Sequence, residues 1–282
     1  MNDLSASYDV TQKSGSSFLY SFVFLPKQKQ DAITAVYAFC RAVDDIVDEP
    51  GSAEEKQRAL DAWRGHLDLA YGAGLPEDPL ARALMPWIAR FGLPRHAFDA
   101  IIDGCEMDIS KNRYATFEEL DTYIYRVASA VGLLCIEIFE YEDPKIRDYA
   151  VALGKALQLT NILRDVGKDY HEVGRIYVPA DEMARFGVTE SDIAGGNLNG
   201  AMVNLLKFQA ERARGYYAQA AALLSGPERR NMAAAAIMGD VYHDLLIEIE
   251  NRHFDVFNGE IKPPKLRRVM TALRAWARSF LG

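Results

Sequence analysis

Apolar residues recur at steps of three and four along almost the whole of this chain, and no convincing run alternates as a half-buried strand would. In "SAEEKQRALDAWRGHLDLAYG" a capping box, Ser52 with Glu55, precedes Leu60, Trp63, Leu67 and Tyr71 on one helical face. A second box, Thr116 with Glu119, opens a helical pattern that runs to about Glu140. Further helices are expected at about 27–48, 80–90, 94–108, 145–170, 201–224, 228–257 and 264–280. The breaks fall at Gly and Pro clusters such as "EPGS", "GAGLPEDP", "GVTESDIAGGNLNG" and "KPPK", none long enough to join two domains. The expectation is one all-α domain over residues 1–282, a helical bundle, and a hydrophobic content of 49% suffices for a sizeable core.

A net charge of −8 argues against nucleic acid as a partner. Cys40, Cys105 and Cys135 are far apart and lie in apolar helical stretches, which fits reduced thiols and a cytoplasmic chain and offers no metal spacing. The five histidines form no metal-binding set either. The N-terminus lacks a signal-peptide pattern, and no apolar run is expected to approach the ~18 residues of a membrane span. Peripheral contact with a membrane stays open.

One stretch breaks the apolar rule. In "QLTNILRDVGKDYHEVGRIYVP" at 158–179, Gln158, Asn161, Asp165 and Asp169 are three, four and four apart, so two amides and two carboxylates share one helical face. "YAFCRAVDDIVDE" at 37–49 clusters Asp44, Asp45 and Asp48 in the same way. Two such helices facing each other inside a bundle need cations to be tolerable. Hard carboxylate and amide oxygens suit Mg²⁺, which takes one or two carboxylates, keeps waters and completes its shell with phosphate oxygens. Arg41, three residues before Asp44, and Arg164, beside Asp165, can each fork onto a diphosphate. An acidic helix face alone is more often simply solvated; two with paired arginines and apolar flanks are harder to dismiss.

At these residues the sequence resembles the squalene/phytoene synthase family. The resemblance extends from "SGSSF" at 14–18 through "RVASAVG" at 126–132 to "MGDVYHDLL" at 238–246. It implies an all-α isoprenoid-synthase fold and the condensation of two prenyl diphosphates by their C1 ends over a Mg²⁺ cluster. "DGCEMD" at 103–108 and "RVASAVG" look most like the hopanoid-pathway enzyme that makes presqualene diphosphate from two farnesyl diphosphates, which implies that NADPH is not required.

Asp44, Asp48, Asn161, Asp165 and Asp169 are the implied metal ligands, with Asp45 ranked lower because it is rotated about 100° from Asp44. Arg41, Arg164, Gln158 and the segment Ser14, Gly15, Ser16, Ser17 are assigned to substrate and its diphosphate. Phe18, Phe22, Tyr37, Tyr123 and Tyr242 are the aromatic candidates for stabilising a carbocation, and Tyr37 and Tyr242 match family positions near diphosphate. Ala128, Val131 and Gly132 supply a small-residue slot for a prenyl tail, with close helix packing as the plainer reading of Gly132. Squalene, dehydrosqualene and phytoene synthesis are the neighbouring possibilities, and a non-catalytic lipid-binding scaffold is the alternative from another class. The basic C-terminal stretch "KPPKLRRVMTALRAWARSF" reads as a solvated helix closing the bundle, with anionic lipid or diphosphate as rival partners for its charge.

Overall fold

The computed structural model describes residues 3–13, 22, 25–72, 74–224 and 226–281. The chain is all-α, as the periodicity requires. Its helices are α1 (Asp3–Lys13), α2 (Lys27–Asp48), α3 (Ala53–Tyr71), α4 (Pro79–Phe91), α5 (Arg95–Ser110), α6 (Phe117–Ile124), α7 (Ala130–Phe139), α8 (Ile146–Val173), α9 (Ala180–Phe186), α10 (Glu190–Ala194), α11 (Gly200–Leu223), α12 (Glu228–Asn231), α13 (Ala233–Asn251) and α14 (Lys265–Leu281). The expected capping box forms at Ser52 and Glu55, and Thr116 accepts from the Glu119 amide. Helix α8 is the spine: its 28 residues span roughly 42 Å at 1.5 Å per residue. Tyr149, Ala150 and Leu153 enter a core shared with α2, α3, α4, α5 and α7, while Leu159, Leu163 and Val166 enter a second core shared with α6, α11 and α13.

The structure departs from the sequence expectations in five places, the first being α1, a helix over Asp3–Lys13 where none was expected. Residues 228–257 are not one helix: α13 stops at Asn251, and His253 and Phe254 adopt left-handed backbone, at φ 54° and 63°. That conformation costs roughly 1–2 kcal/mol per non-glycine residue, and the burial of the Phe254 ring against the second core opposes the cost. The stretch at 176–200 contains two short helices, α9 and α10. Residues 112–115 pair with 176–181 through an isolated parallel bridge, Ile176 N–H donating to the Asn112 carbonyl at 3.0 Å. Finally, the continuous helical run Phe117–Phe139 does meet the length and composition of a membrane span, against the expectation that no run would. It lies in the heart of the protein, packed by α8 and α5, with 56% of its apolar window buried.

Within that run, Tyr125–Ser129 forms a π-helical turn between α6 and α7, closed by Ala130 N–H donating to the Tyr125 carbonyl. Along this stretch α8 comes close to the backbone. A Cβ on Gly154 of α8 would lie 2.7 Å from Ser129 Cα and 2.8 Å from Ser129 N. A Cβ on Gly132 would lie 2.9 Å from the Ala150 carbonyl oxygen, so close helix packing is part of the reason for that glycine. Because backbone cannot yield as a flexible side chain can, Gly154→Ala is expected to lower stability by about 1–3 kcal/mol. Exposed Gly65 in α3 has nothing within 4 Å of its hypothetical Cβ, and Gly65→Ala should raise stability by roughly 0.5–1 kcal/mol. Opposite shifts of the urea midpoint would establish the contrast; equal shifts would refute it.

Candidate active site

Helix α2 presents Arg41, Asp44, Asp45 and Asp48 along one side. Arg41 Nη1 donates to Asp44 Oδ2 at 3.0 Å, and the same guanidinium pairs with Asp45. Arg41 thus holds Asp44 and Asp45 together. The Asp44 side chain is 47% exposed. Desolvation, followed by the charge of Asp48, raises its pKa to about 6.

A residue outside the expected set sits opposite. Arg175 follows Gly174, whose left-handed backbone (φ 70°) ends α8 and turns the chain so that Arg175 N–H donates to the Asp169 carbonyl at 3.0 Å. Its guanidinium donates to Asp48 Oδ1 at 3.1 Å and lies 3.7 Å from Asp108 Oδ1. Asp108, on α5, also accepts from Tyr123 at 2.9 Å and from Tyr177 at 3.4 Å. Burial raises its pKa to about 6 despite the opposing pull of Arg175. Tyr123, expected to face substrate, is 5% exposed and stacked on Tyr177 at 5.1 Å. It anchors Asp108 and does not line the apolar cavity. The "DGCEMD" stretch divides, for Asp103 and Glu106 pair with Arg64 of α3 away from the cleft.

On α8, Arg164 Nε donates to Asp165 Oδ1 at 2.8 Å. Asp169, a turn further on, has its pKa raised to about 7 by burial and then by the charge of Asp165, against Lys168, Arg164 and Arg175. Gln158 and Asn161 continue the stripe into an apolar cavity of about 170 Å³. Ala128, Val131 and Gly132 line this cavity with Phe139, Tyr149, Leu153 and Met238. Tyr242 of α13, half-buried, lines the cavity too, its phenol pKa raised by burial and opposed by Arg164 and Asn161. Tyr37 is close enough to act electrostatically on both Tyr242 and Arg41, which joins α2, α8 and α13 around one opening. Arg164, Asp165 and Tyr242 also line a wider cleft of about 800 Å³ that runs out beneath residues 256–263. Phe22 is packed in the first core and does not line the cavity. Ser14, Gly15, Ser16, Ser17 and Phe18 lie outside the described residues.

The residues present fit a hard divalent cation. Six carboxylates (Asp44, Asp45, Asp48, Asp108, Asp165, Asp169) share this region with the guanidiniums of Arg41, Arg164 and Arg175, and burial, which the guanidiniums offset only in part, raises the pKa of Asp44, Asp108 and Asp169. Asn161 Oδ1 is buried without a hydrogen-bond partner, an orphaned acceptor on the carboxylate stripe. Among the described residues no three acidic, imidazole or thiol groups converge into a ready cage. Ions held here would take one or two carboxylates each and leave the remaining positions to water and diphosphate oxygens, which is the habit of Mg²⁺.

Residues 11–268 match the family model for squalene/phytoene synthase. A phytoene synthase from Arthrospira platensis is 36% identical over 276 residues, covering 93% of this chain and 88% of its own length. A 15-cis-phytoene synthase from Synechococcus elongatus is also 36% identical, over 94% of this chain and 91% of its own. Among solved structures, a dehydrosqualene synthase in complex with ligand superposes with a TM-score of 0.86 at 30% identity, covering 99% of this chain and 96% of the other. A squalene synthase HpnC from Alicyclobacillus acidocaldarius gives a TM-score of 0.79 at 29% identity, over 89% and 94%.

Two predictions follow from the carboxylates. Asp48→Asn and Asp165→Asn should each lower prenyl diphosphate turnover by at least ~100-fold, since even outer partners of a metal site cost 10–100-fold; wild-type rates at saturating Mg²⁺ would remove both from the ligand set. The second concerns stability. The folded Asp169 pKa of about 7 exceeds the unfolded 3.8, so the native state holds the extra proton between those values and its stability falls as pH rises through 7. In EDTA, Asp169→Asn is therefore expected to melt above wild type at pH 8, by a margin that shrinks as the pH falls toward 4. A constant offset between the two melting curves would contradict the assignment.

Proposed function

Because the chain belongs to the squalene/phytoene synthase family, we propose that this prenyltransferase joins two farnesyl diphosphates head to head and releases presqualene diphosphate, a precursor of squalene and hopanoids, in the cytoplasm. The observation that carries the reading is one face of α8 on which Asp165 and Asp169 continue directly into Asn161, Gln158 and an apolar cavity. A diphosphate head and a hydrocarbon tail need those two environments end to end.

Asp44, Asp48, Asn161, Asp165 and Asp169 would hold the Mg²⁺, which when bound acts as a Lewis acid on the diphosphate leaving group. Arg41 and Arg164 offer forked donors to phosphate oxygens at the rim. The cavity keeps water from the reacting carbon, and the Tyr242 ring lining it is placed to face positive charge developing there. Both Arg175 and Tyr123 act indirectly: by holding Asp48 and Asp108 they fix the geometry of the α2 side.

Bulky side chains in the cavity wall, Phe139, Tyr149 and Met238, favour the shorter, fifteen-carbon tail. Phytoene formation from a longer prenyl diphosphate is the second reading, favoured by the names of the two relatives at 36% identity. The intact acidic faces speak against a scaffold without catalysis. Incubation with Mg²⁺ and either farnesyl or geranylgeranyl diphosphate, with and without NADPH, separates these outcomes. The expected product is presqualene diphosphate from farnesyl diphosphate, unchanged in identity and rate by NADPH. Squalene only with NADPH would assign a full squalene synthase, and phytoene or dehydrosqualene without reductant would assign the carotenoid branch.

A further inference from the structure

Two hollows lie back to back across the contact of α8 with α13. One is the apolar cavity of the candidate active site, and the other is a cleft of about 760 Å³ between α11, α13 and α14. Tyr149 and Leu153 line both. Along α13 adjacent residues divide between them: Ala235 and Met238 line the cavity, while Ala236 and Gly239 line the cleft. The partition therefore consists of a few side chains of α8 set against α13. At Gly239 it is thinnest, because the absent side chain is what makes room for Leu153. A Cβ on Gly239 would stand 3.0 Å from Leu153 Cδ1 and 3.9 Å from Cδ2.

Position along α8 gives this partition a meaning. Asp165 marks the diphosphate end of the site, and Leu153 precedes it by three turns and more, about 18 Å along the helix axis. That span is comparable to the reach of a fifteen-carbon prenyl diphosphate and falls short of a chain one isoprene unit longer. Leu153 thus stands where the shorter tail ends and the longer one has to continue. Beyond it the cleft offers apolar surface from Tyr217, Ala218, Ala221 and Leu224. Exclusion by such a wall is steric, since a packed space tolerates overfilling poorly.

We propose that Leu153, seated against Gly239, sets the prenyl chain length that this enzyme accepts by closing the tail cavity against the cleft behind it. Resting on the reading of the site as one for two farnesyl diphosphates, the assignment makes residue 153 the end stop of the tail. A smaller side chain there joins the two hollows and admits a twenty-carbon tail. Gly239 is a positioning residue, acting through the place it leaves for Leu153.

The test is the ratio of kcat/KM for geranylgeranyl diphosphate to kcat/KM for farnesyl diphosphate, in wild type and in variants of the wall. Leu153→Ala is expected to raise this ratio by at least about tenfold. Leu153→Ala/Gly239→Val returns from α13 the carbons that the first substitution removes from α8, and should bring the ratio back to within about threefold of wild type. Titration calorimetry with the two unreactive thiodiphosphate analogues should show the same changes in relative affinity, which assigns the effect to the tail and not to the chemical step. If Leu153→Ala melts too early to assay, Leu153→Val is expected to move the ratio the same way by a smaller factor. A ratio that Leu153→Ala leaves unchanged would overturn the proposal, as would a raised ratio that Gly239→Val fails to reverse. The product reading fails separately. Wild type that makes phytoene from geranylgeranyl diphosphate would sink that reading, while a ratio moved by Leu153→Ala and restored by Gly239→Val would still uphold the wall.

Discussion

The constraint on which the rest depends is the gathering of negative charge between α2, α5 and the C-terminal half of α8. Burial first, and then the charge of neighbouring carboxylates, Asp48 on Asp44, Asp165 on Asp169, and Asp48 with Asp44 on Asp108, hold protons on three of them well above the usual Asp range. A fold optimised for stability alone would not keep that arrangement. It persists because the two cores grip α8 along its length, and because Arg41, Arg164 and Arg175 each hold part of the charge. The uncompensated remainder, with the unsatisfied amide oxygen of Asn161, is what makes the cleft receptive to hard cations.

Arg175 shows how local backbone geometry serves that balance. Gly174 ends α8 in the left-handed region, and the bridge between residues 112–115 and 176–181 fixes the chain just beyond it. Between these two restraints the Arg175 side chain has little freedom, and it reaches Asp48 and Asp108 on two other helices. Tyr123 and Tyr177, stacked and both donating to Asp108, complete a buried polar network that holds the cleft's shape.

The apolar end of the site depends on close backbone approach. The π turn at Tyr125–Ser129, Gly132 and Gly154 bring α7 and α8 nearer than side chains with a Cβ would allow. This contact positions Ala128 and Val131 beside Gln158 and Asn161. One helix pair therefore supplies both the tail cavity and the first polar groups of the head site, and a shift of either helix would disturb both.

The sequence alone determined the all-α class, most helix boundaries, and the two acidic faces, because these are properties of spacing within one helix: i,i+3 and i,i+4 neighbours share a face whatever the chain does elsewhere. The sequence assigned Arg41 and Arg164 to diphosphate; the structure shows each paired with aspartates of its own helix. The tertiary structure decided what lies far apart in the chain. Arg175 and Asp48 are 127 positions apart, and nothing in either local pattern announces that they meet. Tyr123 resembled any other aromatic beside a functional motif until its partners, Asp108 and Tyr177, placed it under the carboxylates. Periodicity likewise shows that α14 has an apolar face, but not which way that face points, since orientation is set by the contacts of Thr271, Ala275 and Arg267 with α13 and by no repeat within the helix itself.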